Sequence, residues 1–170
     1  MELDFTQNRR LVFLGSGTST GVPVIGCECE VCRSTDPRNQ RTRPSVLIEC
    51  PAGNLLIDTT PDLRFQMLRG GYRCAHAIVY THAHADHLFG LDDTRTFPRY
   101  VGGPVPVYCD EETEAAIRRF LPYAYMDGVV RSPHAGIPQI RFERLRPGEP
   151  FRALGQTLLP IRLEHGRFRV

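Results

Sequence analysis

The sequence predicts a mixed α/β domain, and three observations carry that prediction. Short apolar, β-branched runs of strand length recur along the 170 residues. Between them lie segments with helix start and stop chemistry. One of the runs leads straight into a dense set of metal-ligating residue types, which places chemistry on a loop at a strand end.

The length suits one domain with a real core, so residues 1–170 read as a single unit. Apolar residues make up 41% and charged residues 24%, ordinary values for a globular protein. A net charge of +2 is too small to imply nucleic acid by itself. Every basic residue is Arg, a bias that alone carries no function. No apolar run approaches a membrane span, so no membrane partner is expected. Met1–Phe5 lacks the basic and apolar regions of a signal peptide. Six cysteines, three clustered and three scattered, do not form a disulfide framework. Reduced thiols and a cytoplasmic location are the simpler expectation.

Taken in order, residues 10–14 read as the first strand. They run into Gly15-Ser16-Gly17-Thr18-Ser19-Thr20-Gly21, a loop of small residues. It lacks the Gly-Lys-Ser/Thr ending of a P-loop. A tight turn that lets backbone approach a metal site is preferred over direct phosphate binding. Residues 34–43 are polar and Arg-rich, a surface loop or short helix. Residues 45–50 and 54–58 form a hairpin around Pro51-Ala52-Gly53. Thr60-Pro61-Asp62 opens a helix by cap chemistry, and Gly70-Gly71 stops it. Residues 77–80 are a buried strand, and a short helix begins near Leu88. Asp92, Asp93 and Arg95 read as a solvated ion-pair patch rather than substrate contacts. Val105–Tyr108 is a strand. Asp110 then caps a helix over 111–120, with acidic residues first and Arg118-Arg119 last. Residues 123–138 read as a loop, and His134 within it as a surface histidine. Residues 139–142 and 157–163 are further strands, the second delivering Glu164-His165-Gly166.

The chemistry concentrates in Thr81-His82-Ala83-His84-Ala85-Asp86-His87. On a helix, His82 and His84 would point roughly 200° apart. On a loop they can converge on one ion, while Asp86 and His87 turn toward a second. Imidazole and carboxylate suit zinc, manganese or iron, and three such ligands leave room for a water. A solvated polar loop is the bland alternative. A second cluster, Cys27-Glu28-Cys29-Glu30-Val31-Cys32, has C-x-C-x-x-C spacing. Three thiols wrap one zinc if a fourth ligand arrives from elsewhere; free thiols or a redox site are the alternatives.

The first motif resembles the His-x-His-x-Asp-His signature of the metallo-β-lactamase fold, an αββα sandwich. The second resembles the loop of the PhnP-type phosphodiesterase branch, related to the tRNase Z-like nucleases. There, Gly-x-Cys-x-Cys-x-x-Cys follows a small-residue loop. The match runs from Gly15-Ser16-Gly17 through Val22-Pro23 and Gly26–Cys32 to His82–His87, about the first two thirds of the chain. The resemblance implies that His82, His84 and His165 bind one metal, and that Asp86 and His87 bind the second and carry the catalytic work. It implies a structural zinc on Cys27, Cys29 and Cys32 within residues 26–32. It also makes Asp58 a buttress for the ligand loop rather than a ligand; a strand-end turn residue is the alternative.

The implied cofactors are two catalytic divalent metals, zinc or manganese, and one structural zinc. Two such ions share a bridging hydroxide that attacks phosphorus or carbonyl carbon, so no side-chain nucleophile is needed. The expected activity is hydrolysis of a small cyclic or nucleotide phosphodiester. Nucleic acid is a less favoured substrate. Two alternatives stay open: a hydrolase of the same fold acting on a thioester, lactone or lactam, and a non-catalytic zinc-binding module. In the family a bridging Asp, a last metal His and a fourth zinc ligand lie downstream of the third-ligand His. Here only Gly166–Val170 follow His165, and Arg167–Val170 alternates like the inside of a strand. The expectation is therefore the N-terminal half of the sandwich plus the start of the second, truncated at the C-terminus. The strand carrying His165 is expected to find no downstream partner. An exposed sheet edge and apolar face would favour aggregation or a homodimer.

Overall fold

Six strands form the central sheet of the computed structural model, which describes residues 9–125, 136–166 and 168–170, with the backbone alone at 168 and 169. They are β1 (Arg10–Gly15), β2 (Ser45–Cys50), β3 (Gly53–Ile57), β4 (Ala77–Val79), β5 (Val105–Cys109) and β6 (Ile140–Arg144), in that spatial order. β1, β2 and β3 pair antiparallel, whereas β3 through β6 pair parallel. The switch falls at β3 because a tight turn suffices before it. The links from β3 to β4 and from β4 to β5 carry helices, as parallel crossovers require.

The helices are α1 (Glu30–Arg33), α2 (Leu63–Gly70), α3 (Ala85–Leu88), α4 (Pro98–Val101) and α5 (Glu111–Phe120). Strand periodicity lines Leu47 up with Leu56, Leu56 with Ile78, and Ile78 with Val107. This row is fully buried and packs on Leu63 and Met67 of α2, Leu88 of α3 and Ile117 of α5. Each large aliphatic side chain contributes about 2 kcal/mol by its burial. The row therefore seats the strand ends firmly beneath the loops that follow them. On the opposite face, Leu55 and Ala77 pack against a hairpin of β7 (Phe151–Ala153) and β8 (Gln156–Leu158). No described helix is long and apolar enough to cross a membrane.

Local chemistry sets the element ends. The Asp110 carboxylate accepts a hydrogen bond from the Thr113 amide at 2.8 Å, capping α5. Gly71 ends α2 in the left-handed conformation. Asp62, the last residue of the segment expected to open α2, donates its amide to the Thr60 hydroxyl at 3.3 Å and makes no side-chain cap bond itself. Its carboxylate instead accepts from the Arg43 amide at 2.9 Å and pairs with the Arg43 guanidinium at 3.0 Å. The charge-assisted pair with Arg43 is the stronger competitor.

Residues 157–163 are not one strand. β8 stops at Leu158, since Pro160 has no amide to donate to a ladder. Its carbonyl accepts from Gly148 instead, at 2.8 Å. His165 sits in a separate two-stranded hairpin, β9 (Glu164–His165) with β10 (Phe168–Arg169), turned at Gly166. The expectation that nothing downstream could pair with this strand is thus corrected: Phe168 and Arg169 supply the ladder. The small-residue loop also differs from expectation. Gly15 and Gly17 let the backbone approach residues 41–43, not the metal-ligand loop; a Cβ on Gly17 would lie 2.7 Å from the Arg41 carbonyl oxygen. His134 lies outside the described residues.

Candidate metal centre

The ligand-bearing loop follows β4, at the carboxyl ends of the parallel strands, where open α/β sheets place their ligands. Asp58 follows β3 and Asp110 follows β5 at the same end. The loop leaves β4 extended and enters α3 at Ala85, with His84 in the extended conformation just before it. This break in backbone conformation lets His82 and His84 face one side instead of opposing each other.

His82, His84 and His165 come together: one ligand nitrogen from each lies within 4.8 Å of the others. The ring centroids are 4.4 Å apart for His82 and His84, 5.5 Å for His82 and His165, and 5.2 Å for His84 and His165. The His87 ring lies 4.2 Å from His82. The Nε2 atom of His87 faces the Asp86 carboxylate at 3.3 Å, so these two side chains flank the three-histidine group.

Asp58 organises the loop from below. It is buried, and it holds a left-handed backbone, φ 63°, which a short polar side chain tolerates better than a bulky one. Its Oδ1 accepts from the Thr81 amide at 2.9 Å. Its Oδ2 accepts from the Thr81 hydroxyl at 2.8 Å and from His87 Nδ1 at 2.7 Å. A hydroxyl has one proton. With that proton on Asp58, the Thr81 oxygen accepts from His82 Nδ1, 2.9 Å away. His82 therefore carries its proton on Nδ1 and presents the Nε2 lone pair, and His87 holds a proton on Nδ1. Asp58 acts on His87 directly and on His82 through Thr81.

The electrostatics keep His82 in that neutral form and draw His87 toward its charged form. Burial, then the neighbouring His87 and His84, push His82 down to about 4, so its imidazole is neutral. Burial also pulls on His87, but the hydrogen bond and charge of Asp58, with the charge of Asp86, outweigh it and raise its pKa.

The residues fit a metal ion. His82 Nε2 is buried and has no hydrogen-bond partner, and two further imidazoles converge beside it. A buried lone pair without a donor is costly, and an ion coordinated by all three rings removes that cost. Imidazole nitrogen suits zinc, manganese or iron.

The loop is locked from underneath by Thr59 and Tyr80. The Thr59 amide donates to the His87 carbonyl at 2.8 Å, and the Gly90 amide donates to the Thr59 carbonyl at 2.8 Å. The Thr59 hydroxyl donates to the Leu88 carbonyl at 3.1 Å and lies 2.6 Å from the buried Tyr80 hydroxyl. Sequence reasoning missed Thr59, Tyr80 and Thr81. Thr81 directly precedes the motif, but its bond to Asp58 spans 23 positions and leaves no local signal.

At the other cluster, the sulfurs of Cys27, Cys29 and Cys32 also lie within 4.8 Å of one another. Among the described residues the group has three members. The Val24 amide points at the Cys32 sulfur at 3.4 Å. The Cys32 amide, with the Cys27 and Cys32 thiols, lowers the Cys29 pKa toward the thiolate that binds metal. Asp92 pairs with Arg95 and also takes the Tyr123 hydroxyl, as a surface ion-pair patch does.

The family model described as a beta-lactamase superfamily domain matches residues 53–170. A protein of Porphyromonas gingivalis named octanoyltransferase is 41% identical over 162 residues, which are 95% of this chain and 32% of that one. A crystal structure of a diphosphatase from the PhnP family superimposes with a TM-score of 0.83 at 42% identity, covering 95% of this chain and 60% of that one. Zinc-bound PqqB from Methylobacterium extorquens shares the fold, with a TM-score of 0.69 at 21% identity over 95% of this chain and 61% of that one. This chain spans less than two thirds of each of these relatives. With the family model covering well over half of its length, on the fold and ligand loop described above, the chain belongs to the beta-lactamase superfamily domain family.

Proposed function

We propose that this chain carries the metal-binding part of a hydrolase that cleaves a small phosphodiester or a related phosphate ester. The observation that carries the reading is the convergence of His82, His84 and His165 around the unpartnered Nε2 of His82. Asp86 and His87 would hold a neighbouring ion. A divalent metal held there supplies Lewis acidity and a water that ionises near neutral pH. The chain's own residues do the rest. Asp58 and Thr81 fix the tautomers of His82 and His87, and Thr59 and Tyr80 keep the loop seated on the sheet. Cys27, Cys29 and Cys32 would hold a structural zinc. The phosphate preference rests on the similarity at 42% identity to a protein described as a PhnP-family diphosphatase.

A second reading has its own observation. An apolar cavity of about 290 Å³ lies next to the loop, lined by Val79, Tyr80, Thr81, Leu159, Ile161 and Leu163 among others. Such a lining suits an acyl chain, and one relative is named octanoyltransferase. Turnover of bis(p-nitrophenyl) phosphate and of an octanoyl thioester, measured side by side with metal content by elemental analysis, separates the two. Loss of phosphodiesterase activity in His84→Ala supports the first reading. Activity within tenfold of wild type at saturating metal would rule it out.

A further inference from the structure

The Arg-rich segment 38–43 and the small-residue loop 15–17, which the metal centre does not use, build a cleft of their own. Two cavities of about 320 and 340 Å³ adjoin there and share Gln40, Arg41, Thr42 and Arg69. The first is closed on one side by Leu14, Gly15 and Ser16. None of these residues belongs to the histidine group.

The floor is rigid. Gln66 is fully buried, and its amide donates to the Thr42 hydroxyl at 3.0 Å and to the Arg43 carbonyl at 2.9 Å. The Gly17 amide donates to the Thr42 carbonyl at 2.8 Å. No side chain fits at Gly15, where a Cβ would lie 2.0 Å from the Arg43 carbonyl oxygen and 2.5 Å from Gln66. The glycines thus serve to clamp the loop against the arginine segment.

The charge is unbalanced. Arg38 is paired with Asp36, and Arg43 with Asp62, the carboxylate that lines the second cavity. Arg41 and Arg69 differ. The Arg41 guanidinium donates to the Arg38 carbonyl at 2.9 Å, and Arg69 donates to the Leu14 carbonyl at 2.5 Å and lies over the Phe65 ring. Among the described residues neither makes an ion pair. Two guanidinium groups are therefore oriented by carbonyl bonds, keep donors to spare and face one cleft with no carboxylate of their own. A fixed guanidinium fork matches the oxygens of a phosphate group.

We propose that Arg41 and Arg69, beside the Gly15–Ser16 wall, form a phosphate-group binding site separate from the histidine cluster. Its ligand is a phosphomonoester-sized anion, either free phosphate or the phosphate of a nucleotide.

Titration calorimetry on the full chain as purified, at low ionic strength, tests this with inorganic phosphate, adenosine monophosphate and adenosine as probes. Saturable binding of a phosphate-bearing probe is expected, and none of adenosine. Arg41→Gln and Arg69→Gln should each weaken binding about tenfold, the scale of one lost charge-assisted hydrogen bond. Ser16→Glu, at an exposed position, should do the same by placing a carboxylate in the wall. Tighter binding of the nucleotide than of phosphate identifies the larger ligand; equal binding identifies free phosphate. His84→Ala should leave this binding intact, so the cleft and the metal centre stand or fall separately. The proposal is overturned by absence of saturable phosphate binding. It is equally overturned by unchanged affinity in Arg41→Gln and Ser16→Glu proteins that keep the wild-type melting midpoint.

Discussion

His87 Nδ1 donates to Asp58 Oδ2 across 2.7 Å, and the two residues come from the ends of different elements, 29 positions apart. Asp58 closes β3, while His87 lies in the helix that follows β4. The same carboxylate oxygen takes the Thr81 hydroxyl, so one buried group orients two histidines. Asp58→Asn keeps the shape and replaces one acceptor oxygen by a donor. We expect metal affinity to fall about 10- to 100-fold. Competition with a calibrated chelator measures it, and an unchanged affinity would show that the loop orients itself without Asp58.

Protonation of the metal-free protein should leave a signature with two limbs. His82 falls from its ordinary 6.5 to about 4 on folding. Between those values the unfolded chain binds the extra proton, so stability rises with pH through this window and is lost as pH falls. His87 is raised above 6.5, so its contribution is full below that value and is lost as pH climbs through the folded pKa. The melting midpoint of the chelator-treated protein is therefore expected to peak near pH 6.5. His82→Asn should flatten the acid limb and His87→Asn the alkaline one. A single limb that ignores both substitutions would contradict the assignment.

Thr59 and Tyr80 form the lock beneath the ligand loop. Since the Thr59 proton goes to Leu88, the Tyr80 hydroxyl donates to Thr59. Tyr80→Phe should cost about 1 kcal/mol. Thr59→Val strands both the Tyr80 hydroxyl and the Leu88 carbonyl, and should cost about 3 kcal/mol. Denaturant melts of the two single variants and the double variant give the coupling. Additive costs would mean that the two hydroxyls do not work as a unit.

Gly90 lets α3 approach α2. A Cβ there would lie 2.0 Å from the Thr60 carbonyl oxygen and 2.9 Å from the Leu63 Cβ. Neither neighbour can swing away, because one is backbone and the other is buried in the core. Gly90→Ala should destabilise by about 3 kcal/mol and lower metal content as well, since the Gly90 amide bonds Thr59 under the loop. A melting midpoint within a degree or two of wild type would refute this packing.

Cys27, Cys29 and Cys32 should account for one zinc per chain. Replacing all three by Ser is expected to remove that equivalent in elemental analysis while leaving the histidine-bound metal. Unchanged zinc content would return the three sulfurs to the status of free thiols.

What was legible in the sequence was what local chemistry decides. The hairpin over β2 and β3, the Asp110 cap of α5 and the Gly71 stop of α2 each follow from residues within a turn of one another. The ligand loop was legible because His82, His84, Asp86 and His87 are adjacent in sequence. The miss at 157–163 has one cause: its apolar pattern resembles a strand, and Pro160 outweighs that pattern. The Asp62 carboxylate pairs with Arg43, 19 residues away, and no local signal announces that partner. The Asp58–Thr81–His82 relay and the Thr59–Tyr80 lock join side chains brought together only by strand order, and propensity says nothing about that.

The third histidine arrives on a hairpin with two-residue strands, and His165 itself is exposed. Its position, 81 residues after His84, makes any ion shared by the two a non-covalent staple. A staple of that kind converts free energy of coordination into order at a distant segment. Chelation should then act on the structure itself. It should loosen residues 159–166 selectively, leaving the sheet intact, and proteolytic cleavage there would report the ion's presence independently of any activity.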